Sequence, residues 1–116
     1  MTLAEAIAHQ EGFFVAGSKP NRQNNPGDLR HAPGESHEGM DPNAVGEFAT
    51  VEEGWTALNR QLNLYASRGL TIEQMVAEYA PPTENNSQAY LQAVCNLVSC
   101  HPTDLVSQVL GSASLS

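Results

Sequence analysis

The sequence predicts a mainly helical fold of about five helices, interrupted by one irregular segment with room for a short β-hairpin. Three observations carry that reading. Threonine-led capping boxes recur at Thr2-Leu3-Ala4-Glu5, Thr50-Val51-Glu52-Glu53 and Thr71-Ile72-Glu73-Gln74, and each opens a run of apolar residues at helical spacing. Residues 15–46 lack periodicity and are punctuated by Gly17, Pro20, Pro26, Gly27, Pro33, Gly34, Gly39 and Pro42. At 116 residues and 41% hydrophobic, the chain suits one compact domain, assigned to residues 1–110, with a flexible small-residue tail over 111–116.

The first helix places Leu3, Ala6, Ile7 and Gln10 on one side and should stop at Gly12, so Glu11 falls in its last turn. The irregular segment follows. Its sharpest turn is Asn25-Pro26-Gly27, and Leu29-Arg30-His31 and Glu47-Phe48-Ala49 are positioned to pair as a short hairpin. The next helix carries Val51, Trp55, Leu58, Leu62 and Tyr65 in one stripe. Gly54 within it costs about 1 kcal/mol relative to alanine, which points to a close backbone or ligand approach beside Trp55.

After Arg68-Gly69, a short helix with Ile72, Met75, Val76 and Tyr79 is ended by Pro81-Pro82. Asn85 or Asn86 can cap the helix after it, whose inner face is expected at Ala89, Tyr90, Ala93, Val94, Leu97 and Val98. A last helix is expected from Pro102 to Leu110. Cys95 and Cys100 are the only cysteines; they read either as two free thiols or as a local disulfide, a spacing awkward within one continuous helix.

Thirteen acidic residues against five basic ones give a net charge of −8, which argues against nucleic acid as a partner. The same charge gives no long-range attraction for an anionic polymer. No apolar run reaches the length of a membrane span, and the N-terminus lacks the basic and apolar regions of a secretory signal. An extracytoplasmic role therefore requires delivery by another route, or that this is a domain of a longer exported or phage protein. His31, His37, Cys95, Cys100 and His101 have no zinc-site spacing, so neither a metal nor another cofactor is expected.

Several motifs, taken in order, carry a resemblance: Gln10-Glu11-Gly12, Asn24-Asn25-Pro26-Gly27-Asp28-Leu29, Gly46-Glu47-Phe48-Ala49-Thr50, Glu53-Gly54-Trp55, the block Tyr79-Ala80-Pro81-Pro82-Thr83-Glu84-Asn85-Asn86, and Tyr90. Together, over about residues 3 to 98, the chain resembles bacterial and phage lysozyme-like domains of the lytic transglycosylase type. The resemblance implies an α+β lysozyme-like fold in which a hairpin or irregular wall borders a glycan groove. It also implies cleavage of the β-1,4 bond between N-acetylmuramic acid and N-acetylglucosamine in peptidoglycan, with Glu11 as the catalytic acid.

The residues support such chemistry on their own terms. A carboxyl at a helix C-terminus among aromatic residues faces the negative end of the helix dipole and a low dielectric, both of which favour its protonated form. A single Glu suffices for a transglycosylase: it protonates the leaving oxygen, then accepts a proton from the muramic C6 hydroxyl as that oxygen attacks the anomeric carbon. A hydrolytic muramidase needs a second carboxylate, for which Asp28, Glu35, Glu38, Asp41 and Glu47 are candidates, with Asp28 and Glu47 inside the motifs. Muramidase-type phage lysozymes carry an acidic residue about nine positions after the catalytic Glu; Pro20 stands there in this chain. Asn25, Glu47, Phe48, Tyr79 and Asn85 are expected to contact the glycan, while Trp55 and Tyr90 read as core. A lysozyme-like protein that only binds glycan, or that serves as a structural part of a larger assembly, is the alternative to an enzyme.

Overall fold

The structure, a computed structural model, describes residues 1–29, 46–81 and 86–115. Six helices account for most of them: α1 (Leu3–Gln10), α2 (Lys19–Arg22), α3 (Val51–Ser67), α4 (Ile72–Tyr79), α5 (Ser87–Val98) and α6 (Val106–Leu115). Among the described residues there is no strand, only an isolated antiparallel bridge between Thr71 and Leu105. The chain divides into two compact units, Ile7–Gln61 and a second formed by Met1–Ala6 with Leu62–Ser116.

In the 7–61 unit, α1 ends in a Schellman turn. Gly12 takes the left-handed conformation at φ 82°, its N–H donates to His9 O (3.2 Å), and Phe13 N–H reaches back to Ala8 O (3.0 Å). These bonds satisfy carbonyls that the helix end would otherwise leave orphaned. The chain then enters α2, a helix within the segment read from the sequence as irregular. Its signal is local: Ser18 caps it by accepting from Asn21 N–H, and Pro20 sits in the first turn, where its missing N–H is harmless. Ser18 Oγ also donates to Gly12 O (2.6 Å) and Asn21 Nδ2 to Phe13 O (3.1 Å), so α2 is tied directly to the turn that ends α1.

Thr50 Oγ1 accepts from Glu53 N–H (3.2 Å) and starts α3, with Glu52 and Glu53 at the positive end of the helix. Gly54 is buried because backbone runs against it: an added Cβ would fall on the Asn24 carbonyl oxygen and lie 2.8 Å from Pro26 Cδ. The close approach expected at Gly54 is therefore to the Asn24–Pro26 turn. Further along α3, Ala57, Leu58, Leu62 and Tyr65 are buried, whereas Val51 and Trp55 are only half-buried. The hairpin expected between Leu29-Arg30-His31 and Glu47-Phe48-Ala49 lies partly outside the described residues; at its described ends Gly46 N–H donates to Leu29 O (2.9 Å).

In the second unit the capping box at the start of α1 is complete, with Thr2 N–H donating to Glu5 Oε1 (2.9 Å) and Glu5 N–H to Thr2 Oγ1 (3.1 Å). A second Schellman turn ends α3: Gly69 is left-handed at φ 73°, and Leu70 N–H donates to Tyr65 O (3.4 Å). Arg68, at that end, forms a two-pronged pair with Glu78 of α4 (2.9 and 3.0 Å). The pair is fully exposed, so it is screened by salt and specifies geometry more than stability. Thr71 and Gln74 complete the capping box of α4.

Asn86 is the residue that caps α5, accepting from Ala89 N–H (3.1 Å). The buried face of α5 is Tyr90, Leu91, Val94 and Cys95, while Ala89 is exposed, so the expected face is rotated by about one residue. The helix carries apolar residues at Ala89, Tyr90, Leu91, Ala93, Val94, Cys95, Leu97 and Val98, a stripe broad enough to leave its centre ambiguous by that amount. The last helix starts later than the expected Pro102 and runs further than Leu110. Residues 101–104 instead form a turn in which Asp104 Oδ2 accepts from His101 N–H (2.9 Å). The turn is stitched to α4 by Ile72 N–H to Asp104 O (2.8 Å) and Glu73 N–H to Pro102 O (3.0 Å). Those bonds hold Pro102 outside the helix, and α6 continues into the small-residue run as far as Leu115.

Two glycine substitutions separate sterics from conformational strain. Gly12→Ala meets no atom within 4 Å but holds alanine left-handed, costing about 1 kcal/mol. Gly54→Ala must displace backbone and should cost about 3 kcal/mol or more, visible as the lower urea midpoint of the two. A pH test comes from the capping box, where the Thr2 backbone N–H, and next its hydroxyl, hold the Glu5 carboxyl below its ordinary value of 4.5. A carboxyl depressed in the folded state stabilises above its unfolded value and loses that contribution as pH falls through the folded one. The melting-temperature advantage of the wild type over Glu5→Gln should therefore be present at pH values above the ordinary 4.5 and be lost as the pH falls below it.

Candidate active site

Glu11 is the C-cap residue of α1. Its N–H completes the helix by donating to Ile7 O (2.9 Å), and the chain turns away immediately at Gly12. The side chain is half-buried at the negative end of α1. The Schellman turn fixes both the carboxyl's point of attachment and the direction in which the next residues leave.

Those next residues build an aromatic cluster. Phe13 is buried and meets Phe14 edge-on at 5.3 Å between ring centroids and Trp55 edge-on at 5.5 Å. Phe14 and Trp55 lie 6.3 Å apart, tilted by 38°. Phe14 remains 53% exposed and Trp55 is half-buried, so the cluster presents aromatic surface to solvent within three residues of Glu11. Trp55, read from the sequence as core, is thus only partly so. The available signal was the pair of aromatics directly after the helix stop, together with the close approach at Gly54 that sets the register of Trp55.

Two residues expected to contact the glycan are structural instead. Asn25 is fully buried, and its amide is used up by the backbone: Nδ2 donates to Leu29 O (2.9 Å) and Gly46 O (2.8 Å), and Oδ1 accepts from Leu29 N–H (2.9 Å). It joins the two ends of the segment over residues 30–45. Phe48 is 1% exposed and serves as core. Asn24, left-handed at φ 54°, donates from Nδ2 to Phe48 O (3.0 Å), and Phe48 N–H donates to Gln23 O (2.9 Å). The NNPG motif is a clamp on residues 46–49, and the carbonyl it turns inward is the one Gly54 accommodates.

Glu47 is exposed and Asp28, left-handed at φ 52°, is half-buried. Glu11, Asp28 and Glu47 all belong to the 7–61 unit. Tyr79 belongs to the second unit, half-buried and edge-on to Tyr65 at 6.4 Å. Asn85, and the further carboxylate candidates Glu35, Glu38 and Asp41, lie outside the described residues, as do His31 and His37. No three His, Cys, Asp or Glu residues converge on a possible metal site among the described residues. No described helix is long and apolar enough to cross a membrane. An open cleft of about 770 Å³ lies in the second unit, lined by residues that include Met1, Leu97, Cys100, Asp104 and Gln108. None of the sequence-predicted site residues lines it.

Compared with protein-family models, curated proteins and solved structures, the chain matches none.

The clamp role of Asn25 has a measurable consequence. Asn25→Ala leaves Leu29 N–H and Gly46 O without their side-chain partner, whereas Leu29 O keeps the Gly46 N–H, at a cost of about 1 kcal/mol or more for each group stranded. Urea unfolding should show a loss of about 2 kcal/mol. If Asn25→Ala unfolds at the wild-type midpoint, the residue does not hold the segment closed.

Proposed function

We propose that this chain cleaves the β-1,4 bond between N-acetylmuramic acid and N-acetylglucosamine in peptidoglycan, with Glu11 as the single acid and base of a lytic transglycosylase. The observation that carries the reading is the position of Glu11: a half-buried carboxyl rigidly set at the C-cap of α1, three residues from an exposed aromatic face. A pyranose ring offers its C–H face to such a surface, and Phe14 and Trp55 supply planar area for it. The ordered motifs from Gln10 to Tyr90 support the same class of enzyme.

In this mechanism Glu11 delivers its proton to the glycosidic oxygen as the bond to the anomeric carbon breaks. Its carboxylate then takes the C6 hydroxyl proton while that oxygen closes onto the anomeric carbon, giving a 1,6-anhydro ring and restoring the acid. No water is consumed. Pro20, where muramidase-type enzymes carry an acid, is buried in α2, which favours the single-carboxylate route over hydrolysis. With a charge of −8 the protein gains no long-range attraction to an anionic wall, so binding rests on stacking and local hydrogen bonds. The fold reading that accompanies this proposal is lysozyme-like, and the site of action is the cell wall.

Digestion of peptidoglycan by the purified chain, with products identified by mass spectrometry, tests the proposal. Anhydromuropeptides should appear, each one water lighter than its hydrolytic counterpart. Glu11→Gln should lower turnover by about 100-fold or more without loss of fold. Reducing ends alone, together with an inactive Glu47→Gln or Asp28→Asn variant, would establish a hydrolytic muramidase instead. Binding of glycan without cleavage would assign the chain to the non-catalytic class.

A further inference from the structure

The two cysteines occupy a matched pair of positions at the end of α5. Ser99 takes the left-handed conformation at φ 62°, its N–H donates to Cys95 O, and Cys100 N–H donates to the same carbonyl at 3.0 Å. This is the six-residue closure of a Schellman-type cap, and the residues at its two ends are the pair whose side chains meet when such a cap forms. In most helices that contact is between two apolar side chains. Here both are free thiols. The spacing of five, awkward inside a continuous helix, becomes suitable because α5 stops at Val98 and the chain turns back on itself.

We propose that Cys95 and Cys100 form a reversible dithiol–disulfide pair that staples the C-terminal cap of α5 under oxidising conditions. Cys95 is buried, whereas Cys100 is half-buried and lines the open cleft beside Met1, Asp104 and Gln108. A small disulfide such as oxidised glutathione therefore meets Cys100 first. The Cys100 thiol loses its proton and its sulfur attacks the glutathione disulfide, releasing one glutathione thiol and leaving a mixed disulfide. Cys95, at the other end of the same backbone closure, then loses its proton and displaces the second glutathione. Two S–H bonds are exchanged for one S–S bond, and the two electrons and two protons leave on two glutathione molecules.

Burial pushes the Cys95 thiol up, and burial together with the neighbouring Cys95 pushes Cys100 up to about 12. Both groups are thus protonated at neutral pH, and uncatalysed exchange is slow. The pair is a candidate substrate for a thiol–disulfide oxidoreductase, not a redox catalyst. Because the closed ring is short, the bond removes little chain entropy, and its effect is local: it holds Ser99 in its left-handed turn and withdraws the Cys100 sulfur from the cleft wall.

The test is independent of the catalytic reading. The full chain, purified reduced, is equilibrated in glutathione buffers of graded oxidised-to-reduced ratio, with a disulfide isomerase present so that slow exchange does not limit the result. Intact mass should fall by about 2 Da, and peptide mapping should place the bond between Cys95 and Cys100. The same titration in urea measures the unfolded chain. The native chain should reach half-oxidation at a ratio about tenfold or more below that of the unfolded one, and the oxidised protein should melt higher. Oxidation no more favourable than in urea would overturn the proposal. So would a native chain that stays reduced, or one that yields only glutathione adducts or linked dimers.

Discussion

The 7–61 unit depends on one close approach of backbone to backbone: the Asn24 carbonyl against Gly54 of α3. Nothing larger than a hydrogen fits there. The contact sets where the NNPG turn meets the helix, and Asn25 converts that position into closure by bonding Leu29 and Gly46 at once. Phe48 is drawn into the core on the same strand of logic, since its neighbours at 46 and 49 are held by Asn25 and Asn24. A buried amide with every donor and acceptor engaged specifies one geometry, because any other leaves polar groups unpaired in a low dielectric.

The second recurrent device is the helix end. Left-handed residues close α1, α3 and α5 at Gly12, Gly69 and Ser99, and in each the N–H groups beyond the helix return to its last carbonyls. Two of the three ends carry the residues on which the two proposals rest. At α1 the turn presents Glu11 and throws Phe13 and Phe14 towards Trp55. At α5 it places two cysteines at the ends of one backbone closure. A helix terminus is a good platform for either purpose because its backbone is over-determined by hydrogen bonds while its side chains are released from the helical repeat.

Much of the helical framework was legible in the sequence because capping is a local code. The three threonine boxes, the glycine stops at 12 and 69, and the Asn86 cap operate over four to six residues, and no distant contact is needed to read them. The weaker readings have equally definite causes. Helix α2 was hidden by Pro20 within it and Gly17 just before it, although Ser18 ahead of Pro20 is a start signal. The face of α5 was misjudged by one residue because periodicity constrains a stripe, not its centre. The start of α6 moved because Asp104 and Pro102 bond to the first turn of α4, a contact between residues about thirty apart in sequence.

By itself, the sequence determined most of the helices, the placement of Glu11 at a helix end, and the need for a close approach at Gly54. All follow from propensity, capping and the absence of a side chain. Only the tertiary structure decided which motif residues face solvent. Asn25 and Phe48 look alike, as candidates for sugar contact, whether buried or exposed; burial and exhausted hydrogen-bonding capacity made them parts of the scaffold. Phe14 and Trp55 went the other way, since exposure depends on what packs against a ring and not on the ring itself. The physical reason is range: capping energies act within a turn of chain, whereas burial is settled by residues brought together from across the unit.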